Sequence, residues 1–325
     1  MPMAPALAHL APAIPSDRRR RQQSHSPKSN VSKQPSSPTP DPPAVFLACD
    51  SFQVAAAKVA VLKGDQILHV LAGTSQAVVF KTLVKGASQP FIVKVFKLSP
   101  EQLAAKTNPC LEVLRHLSSL PAPLSPGLEF VAQRVPKCYG SWISGDMLAI
   151  RKEWLSGRSL NSILASSWPV GFSEAHYLHT FYELVTFLHH LHNDCGIIHR
   201  DVKPENIIVR PNGKIALIDW DSASFLQPGH FLSDPWGSWA YASPEVYLRK
   251  PYNHQADIWS ASVILFLLAT HTLPFTTVSG QIPPEFLDGP SAPASLSIPP
   301  TVPFWLCKLL SQLLHTNFSS RLTSS

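Results

Sequence analysis

The sequence predicts an α+β fold with two lobes, a small antiparallel β lobe followed by a larger, mostly helical one. Three observations carry this. Short β-rich runs crowd together from about residue 65. Beyond about residue 155 the apolar residues recur with helical spacing. No internal repeat relates the two halves, so they are distinct units. The chain has 325 residues, enough for one large domain or two small ones around a substantial core. With 45% hydrophobic residues and eight tryptophans, most of it should fold.

The exception is the start. Residues 1–45 are rich in Pro, Ser and Arg and lack apolar periodicity, so they read as a disordered tail, with the folded domain spanning 46–325. Six cations there (Arg18, Arg19, Arg20, Arg21, Lys28 and Lys33) face two acids (Asp17 and Asp41), so the tail holds four of the six net positive charges. A basic tail on a nearly neutral body gives no reason to expect nucleic-acid binding. The arginine run at 18–21 reads equally as a nuclear import signal or a solvated basic run. The opening "MPMAPALAHLAPAIP" has prolines and no basic n-region, so no signal peptide is expected. The apolar run Ala261 to Ala269 is too short to cross a membrane and reads as a buried helix. Five cysteines, an odd number without CxxC spacing, suggest reduced thiols in an intracellular protein.

"QILHVLAG", "AVVFKTLV" and "PFIVKVFKL" then predict strands of one antiparallel sheet, in a small lobe over about 65–153. Ser99 followed by Pro100 predicts a helix start, and Asn108-Pro109 a second helix to about Leu120. The large lobe covers about 154–325. In it Ser173 can cap a helix through "EAHYLHTFYELVTFLHHLH", with Leu178, Phe181, Tyr182, Val185 and Leu188 on one face. His176, His179, His189, His190 and His192 lie on the same stretch. Without carboxylate or cysteine partners they read as ordinary helix-face residues rather than metal ligands.

One stretch carries chemistry. "IIHRDVKPENIIV" (197–209) sets His199, Arg200, Asp201, Lys203, Glu205 and Asn206 between apolar runs, in a chain with only 15% charged residues. The flanking isoleucines anchor a polar loop to the core and so fix its carboxylate in place. The stretch resembles H-R-D-L-x-x-x-N, the catalytic loop of protein kinases, with Val202 in the leucine position. The lysine two residues after the aspartate resembles the serine/threonine branch. Four further segments resemble the same family in the same order. "KIALIDWDSA" is an apolar strand ending at Asp219, eighteen residues after Asp201, and resembles the D-F-G element with Asp221 for its glycine. "GSWAYASPE" (237–245) resembles the segment closing a kinase activation loop. "ADIWSASVILFLLATHTLPF" resembles the central helix of the large lobe. Arg321, in "NFSSRLT", sits where the family keeps the partner of Glu245.

The resemblance covers about 65–325 and implies a bilobal protein-kinase-like fold. It also implies transfer of the ATP γ-phosphate to Ser or Thr hydroxyls of a protein substrate. Asp201 would be the catalytic base, Lys203 would neutralise the transferring phosphate, and Asn206 and Asp219 would hold Mg²⁺. Ser238 would bridge Asp201 and Lys203. Asp257 would hold the loop backbone. Lys94 in "FIVKV" would bind the α/β-phosphates, with Lys97 as competitor. The remaining nucleotide contacts would fall to Leu71, Gly73, Val78, Glu153 and Ile208, with Val78 packed on adenine.

The sequence departs from the family around the nucleotide. Of the glycine-rich loop only Gly73 survives, Leu71 and Gln76 taking the other two positions. Ile92 replaces a small alanine. Lys152 stands at the back of the pocket, where it requires a partner or a depressed pKa. The helix glutamate that should pair with Lys94 is missing. The family register puts Cys110 there, and only a shifted register would bring in Glu112. These departures keep open an alternative, a pseudokinase serving as a binding or scaffold module. Arg200 could receive a phosphorylated Ser222, Ser224 or Ser233, or the segment could be ordered without phosphate. The oligomeric state is not legible.

Overall fold

A computed structural model describes residues 51–120, 124–167, 172–275 and 298–322; the tail with its arginine run lies outside the described residues. The described chain opens with a helix the sequence reading did not anticipate, α1 (Ser51–Ala60). It lies across one face of a sheet built from β1 (Asp65–Gly73), β2 (Ala77–Val84), β3 (Phe91–Lys97), β4 (Cys138–Ser144) and β5 (Met147–Glu153). The order is β1-β2-β3-β5-β4, antiparallel throughout. The small residues of α1 allow close approach: Ala56, Val59 and Ala60 pack on Val78, Phe80, Val93, Val95 and Ala149. Trp142 Nε1 donates to the Val59 carbonyl at 2.8 Å.

Strand alternation then decides the opposite face. Lys94 pairs across the sheet with Val79, and Ile92 with both Lys81 and Lys152. These residues share the face away from α1, toward the rest of the chain.

Three helices interrupt the sheet sequence. In α2 (Pro100–Ala105) Ser99 and Gln102 form a capping box. Asn108 caps α3 (Pro109–Ser118), which buries Cys110, Leu111, Val113, Leu114 and Leu117. The third is α4 (Pro126–Ala132).

The second half contains β6 (Arg158–Ser159), α5 (Leu160–Ser167), α6 (Glu174–Asn193), β7 (Ile197–Ile198), β8 (Ile207–Val209), β9 (Ile215–Leu217), β10 (Ser224–Phe225), α7 (Pro244–Tyr247), α8 (Gln255–Thr270) and α9 (Phe304–Leu313). α8 is buried without interruption from Ala256 to Leu268, as a helix apolar all round should be. The buried stripe of α6 is not the expected one. Tyr177, Leu184, Phe187, Leu188 and Leu191 are buried, Leu178, Phe181 and Val185 only partly, and Tyr182 is 63% exposed. α6 touches α8 and α4 together. That widens and turns the buried arc, and Tyr182, with its polar tip, falls outside it. Among the described residues no helix is long and apolar enough to cross a membrane.

Two buried ion pairs tie segments far apart in sequence. Arg134 donates to Glu183 at 2.8 Å. Arg321 grips Glu245 with two bonds of 2.7 and 3.0 Å, its guanidinium 4.8 Å from the Trp259 ring centre. A bidentate pair this enclosed leaves a costly bare charge when one partner is removed. Glu245→Ala is therefore expected to cost about 3–5 kcal/mol in chemical denaturation. Replacing Glu245 with Leu and Arg321 with Met together should recover most of that loss.

Buried imidazoles make stability depend on pH. Burial, with His192 alongside, holds His254 down to about 4, and burial also lowers His199. The unfolded chain protonates these rings near their ordinary value of 6.5, while the fold resists. Stability from this source is complete above pH 6.5 and lost as the pH falls toward 4. The melting temperature should drop through that window, and His254→Gln should flatten the drop.

Candidate active site

The catalytic-loop segment is held from beneath by one carboxylate. Asp257, on α8 and wholly buried, accepts the backbone N–H of Arg200 on Oδ1 and that of His199 on Oδ2, both at 2.8 Å. His192 Nε2 lies 2.9 Å from the same Oδ2. Burial would push this carboxyl upward, but His192 and the His199 N–H hold it below its usual range. Contrary to the helix-face expectation, His192 is thus a buried partner of the loop. With its N–H tied, Arg200 adopts a left-handed backbone (φ 67°) that a non-glycine residue enters only under constraint. The His199 ring packs 4.7 Å from the fully buried Trp220, linking this loop to the segment of Asp219.

Above this anchor the polar side chains converge. Asn206 Nδ2 donates to the Asp201 carbonyl at 2.9 Å and to its Oδ2 at 3.0 Å. Ser238 Oγ donates to Asp201 Oδ1 at 2.9 Å. Lys203 Nζ lies 2.8 Å from Asp201 Oδ2 and donates to Ser238 Oγ at 2.8 Å. The triangle closes because Gly237 takes φ +105° and runs against Arg200, where a Cβ would come within 2.4 Å of the Arg200 oxygen.

A second polar group lies between the sheet and β9. Lys94 Nζ is 2.6 Å from Asp219 Oδ1 and 2.6 Å from Asp221 Oδ2. Burial alone would lower the Lys94 ammonium; the carboxylates, Asp221 ahead of Asp219, outweigh it and hold the amine protonated well above its ordinary value. Burial works to raise Asp219 too, but Lys94 and Lys152 bring it below the usual carboxylate range. Asp221 goes the other way, pushed up by burial and by its neighbour Asp219. Lys152 is buried, and its charge acts on both aspartates and on Cys110. Cys110, buried in the first turn of α3, feels both lysines, as the family register implies. Glu112 does not enter; it accepts from Thr107 Oγ1 at 2.8 Å on the exposed side. Lys97 is exposed and points to the opposite sheet face from Lys94.

The expected nucleotide contacts on β1 and β2 need correction. Val78 is fully buried against α1, on the face opposite Lys94, and Val79 is the residue paired with Lys94. A one-residue slip in strand register exchanges the two faces, which motif spacing alone does not detect. Gly73 pairs with Val78, and a Cβ there would meet Gln53 of α1 at 3.2 Å, so it too faces α1. Leu71 falls at a register irregularity between Val70 and Ala72 and is 47% exposed. Glu153 ends β5, its N–H donating to the Lys137 carbonyl at 2.9 Å. Ile208 on β8 packs over Gly157, where a Cβ would meet its Cγ2 at 2.7 Å.

Arg200 is already engaged. Its guanidinium donates to the Ser222 carbonyl and, at 2.8 Å, to Asp234 Oδ2, with the Trp236 ring 5.6 Å away. Ser222 is buried, which removes it from the candidate phosphorylation sites. Sequence reasoning missed the pairings of Asp221, Asp234 and His192. Asp221, two residues after a strand-end aspartate, was a visible signal; the other two become neighbours only through folding. Among the described residues no group of His, Cys, Asp and Glu forms a metal cluster.

Comparison with known proteins agrees with this geometry. The protein kinase domain family matches residues 72–325. The SNF1-related protein kinase catalytic subunit alpha KIN12 of Arabidopsis thaliana is 40% identical over 97 residues, 30% of this chain and 19% of that protein. The serine/threonine-protein kinase PEPKR2 of the same plant is 34% identical over 166 residues, 51% of this chain and 32% of its own length. The serine/threonine-protein kinase SIK1 of Mus musculus is 34% identical over 158 residues, 48% of this chain and 18% of its length. The chain thus spans a third or less of these relatives. With a domain match over most of its length, the chain belongs to the protein kinase family.

Proposed function

We propose that the chain is a serine/threonine protein kinase that transfers the γ-phosphate of ATP to Ser or Thr hydroxyls of a protein. The observation that carries this reading is the Asp201 carboxylate, oriented at once by Asn206, Lys203 and Ser238. A base fixed in this way needs no reorganisation when the acceptor arrives. Its Oδ takes the hydroxyl proton as the oxygen attacks the γ-phosphorus and the bond to the leaving ADP oxygen breaks. Lys203 offsets charge on the transferring phosphoryl group, and Lys94 binds the α/β-phosphates. Asp219, its side chain 37% accessible, and the amide oxygen of Asn206 are hard oxygen donors of the kind Mg²⁺ takes. A Mg²⁺ ion held there with ATP would supply positive charge against the phosphates. Asp234 on Arg200 supports a segment ordered without phosphate.

A second reading, a pseudokinase acting as a binding module, is favoured by Ile92 and Lys152 side by side on the cleft face and by the tight turn at Thr74, whose N–H donates to Ala77 at 2.8 Å. Labelled ATP with Mg²⁺, offered with a generic basic protein acceptor, separates the two readings. Asp201→Asn is expected to lower transfer by about 10²–10⁴-fold with melting unchanged. No transfer by folded wild-type protein across several acceptors would favour the binding module.

Gly237→Ala tests the triangle from its backbone. The added Cβ clashes with the Arg200 oxygen, and the positive φ is itself strained for alanine. Transfer should fall by about tenfold or more as Ser238 shifts from Asp201. Denaturation should show a smaller loss, on the order of 1–3 kcal/mol.

A further inference from the structure

The cation that should contact the nucleotide phosphates lacks its usual helix carboxylate, yet it is not left alone. Cys110 occupies that place on α3, fully buried and uncharged, and Glu112 is engaged elsewhere. The carboxylates that reach Lys94 come instead from the segment after β9. Asp221 Oδ2 stands 2.6 Å from Lys94 Nζ, as close as Asp219. We propose that Asp221 is the positioning residue for Lys94, a counter-ion moved from the helix to the segment after β9, which frees Asp219 for the metal.

Three observations support this. First, two residues do opposite jobs only if one carboxylate remains with the lysine when the other turns to a metal; Asp219 cannot serve as full partner to both. Second, Asp221 is fixed by its backbone. It follows Trp220, a fully buried ring whose Nε1 donates to the Leu217 carbonyl at 3.2 Å, and Ala223 N–H donates back to the Trp220 carbonyl at 3.2 Å. A glycine here would be free to turn; an aspartate in a locked turn keeps its carboxyl group in place. Third, Lys152 adds a second buried cation at the same site. Asp221 sets a second carboxyl group against these cations, 2.6 Å from Lys94 Nζ. The substitution at position 221 thus offsets both the absence of a helix glutamate and the presence of Lys152.

This inference rests on the kinase reading for the role of Lys94, but two measurements separate their fates. Transfer kinetics with ATP would be measured for wild type, Asp221→Asn, Asp221→Glu and the double variant Cys110→Glu/Asp221→Gly. Calorimetry on the same proteins would compare Mg²⁺–ATP with adenosine, which has no phosphates. Thermal melting confirms that each variant is folded. Asp221→Asn is expected to lower kcat/KM for ATP by about tenfold or more. It should weaken ATP while leaving adenosine within about twofold. Asp221→Glu should retain much of the activity. The double variant, which moves the carboxylate to the helix, should regain what Asp221→Asn loses. Wild-type transfer with unchanged kcat/KM in folded Asp221→Asn would overturn the proposal. So would an unchanged ratio of ATP to adenosine affinity, which decides the matter even where wild type transfers nothing and the kinase reading itself has failed.

Discussion

The site depends on a single buried carboxylate that holds the loop of Asp201 from beneath. Asp257 is buried in α8, the helix buried along its whole middle, and accepts two consecutive backbone N–H groups of the loop that carries Asp201. A buried charge without donors would cost several kcal/mol, on the order of the penalties for unpaired interior ions. The loop therefore pins itself there, and His192 completes the arrangement. That pinning forces Arg200 into the left-handed region. It turns Asp201 away from the core toward Asn206, Lys203 and Ser238, and it sets the Arg200 guanidinium beside Asp234. Helix, loop and activation segment thus share one hydrogen-bonded constraint.

The sheet imposes the second constraint, through parity. On β2 and β3 the residues that α1 covers alternate with those that face the cleft. Lys94 and Val79 face one way, Val78 and Val93 the other. The helix also reaches the hairpin between β1 and β2, where Gln53 stands over Gly73. α1 is therefore part of the small lobe's core.

Between these two constraints lies an unusual cluster of charge. Lys94 and Lys152 project from neighbouring strands, and Asp219 and Asp221 both reach Lys94 from a single turn. Without neighbours each of these groups would be costly to enclose, and the contacts of Lys94 with both carboxyl groups offset part of that cost. The uncharged Cys110 fits the space beside them. The departures from the family pattern at 110, 152 and 221 are physically one change.

By itself the sequence determined the α+β class, the order of strands before helices and the large-lobe motifs. Those signals are local: a charged loop between apolar runs, an aspartate at a strand end, a proline or serine at a helix start. It also placed Cys110 rather than Glu112 in the family register, and it paired Arg321 with Glu245. What it could not decide depended on neighbours distant in the chain. α1 is short and alanine-rich, and only the sheet beneath it makes it necessary. The buried face of α6 depended on two other helices. Val78 and Val79 are adjacent valines with equal claims by spacing, and register alone separates them. Asp221 read as a lost glycine until folding brought it within 2.6 Å of a lysine more than a hundred residues earlier. Composition and spacing fix which groups a chain carries, but which charges meet is settled by strand register and packing, because those interactions act through space rather than along the chain.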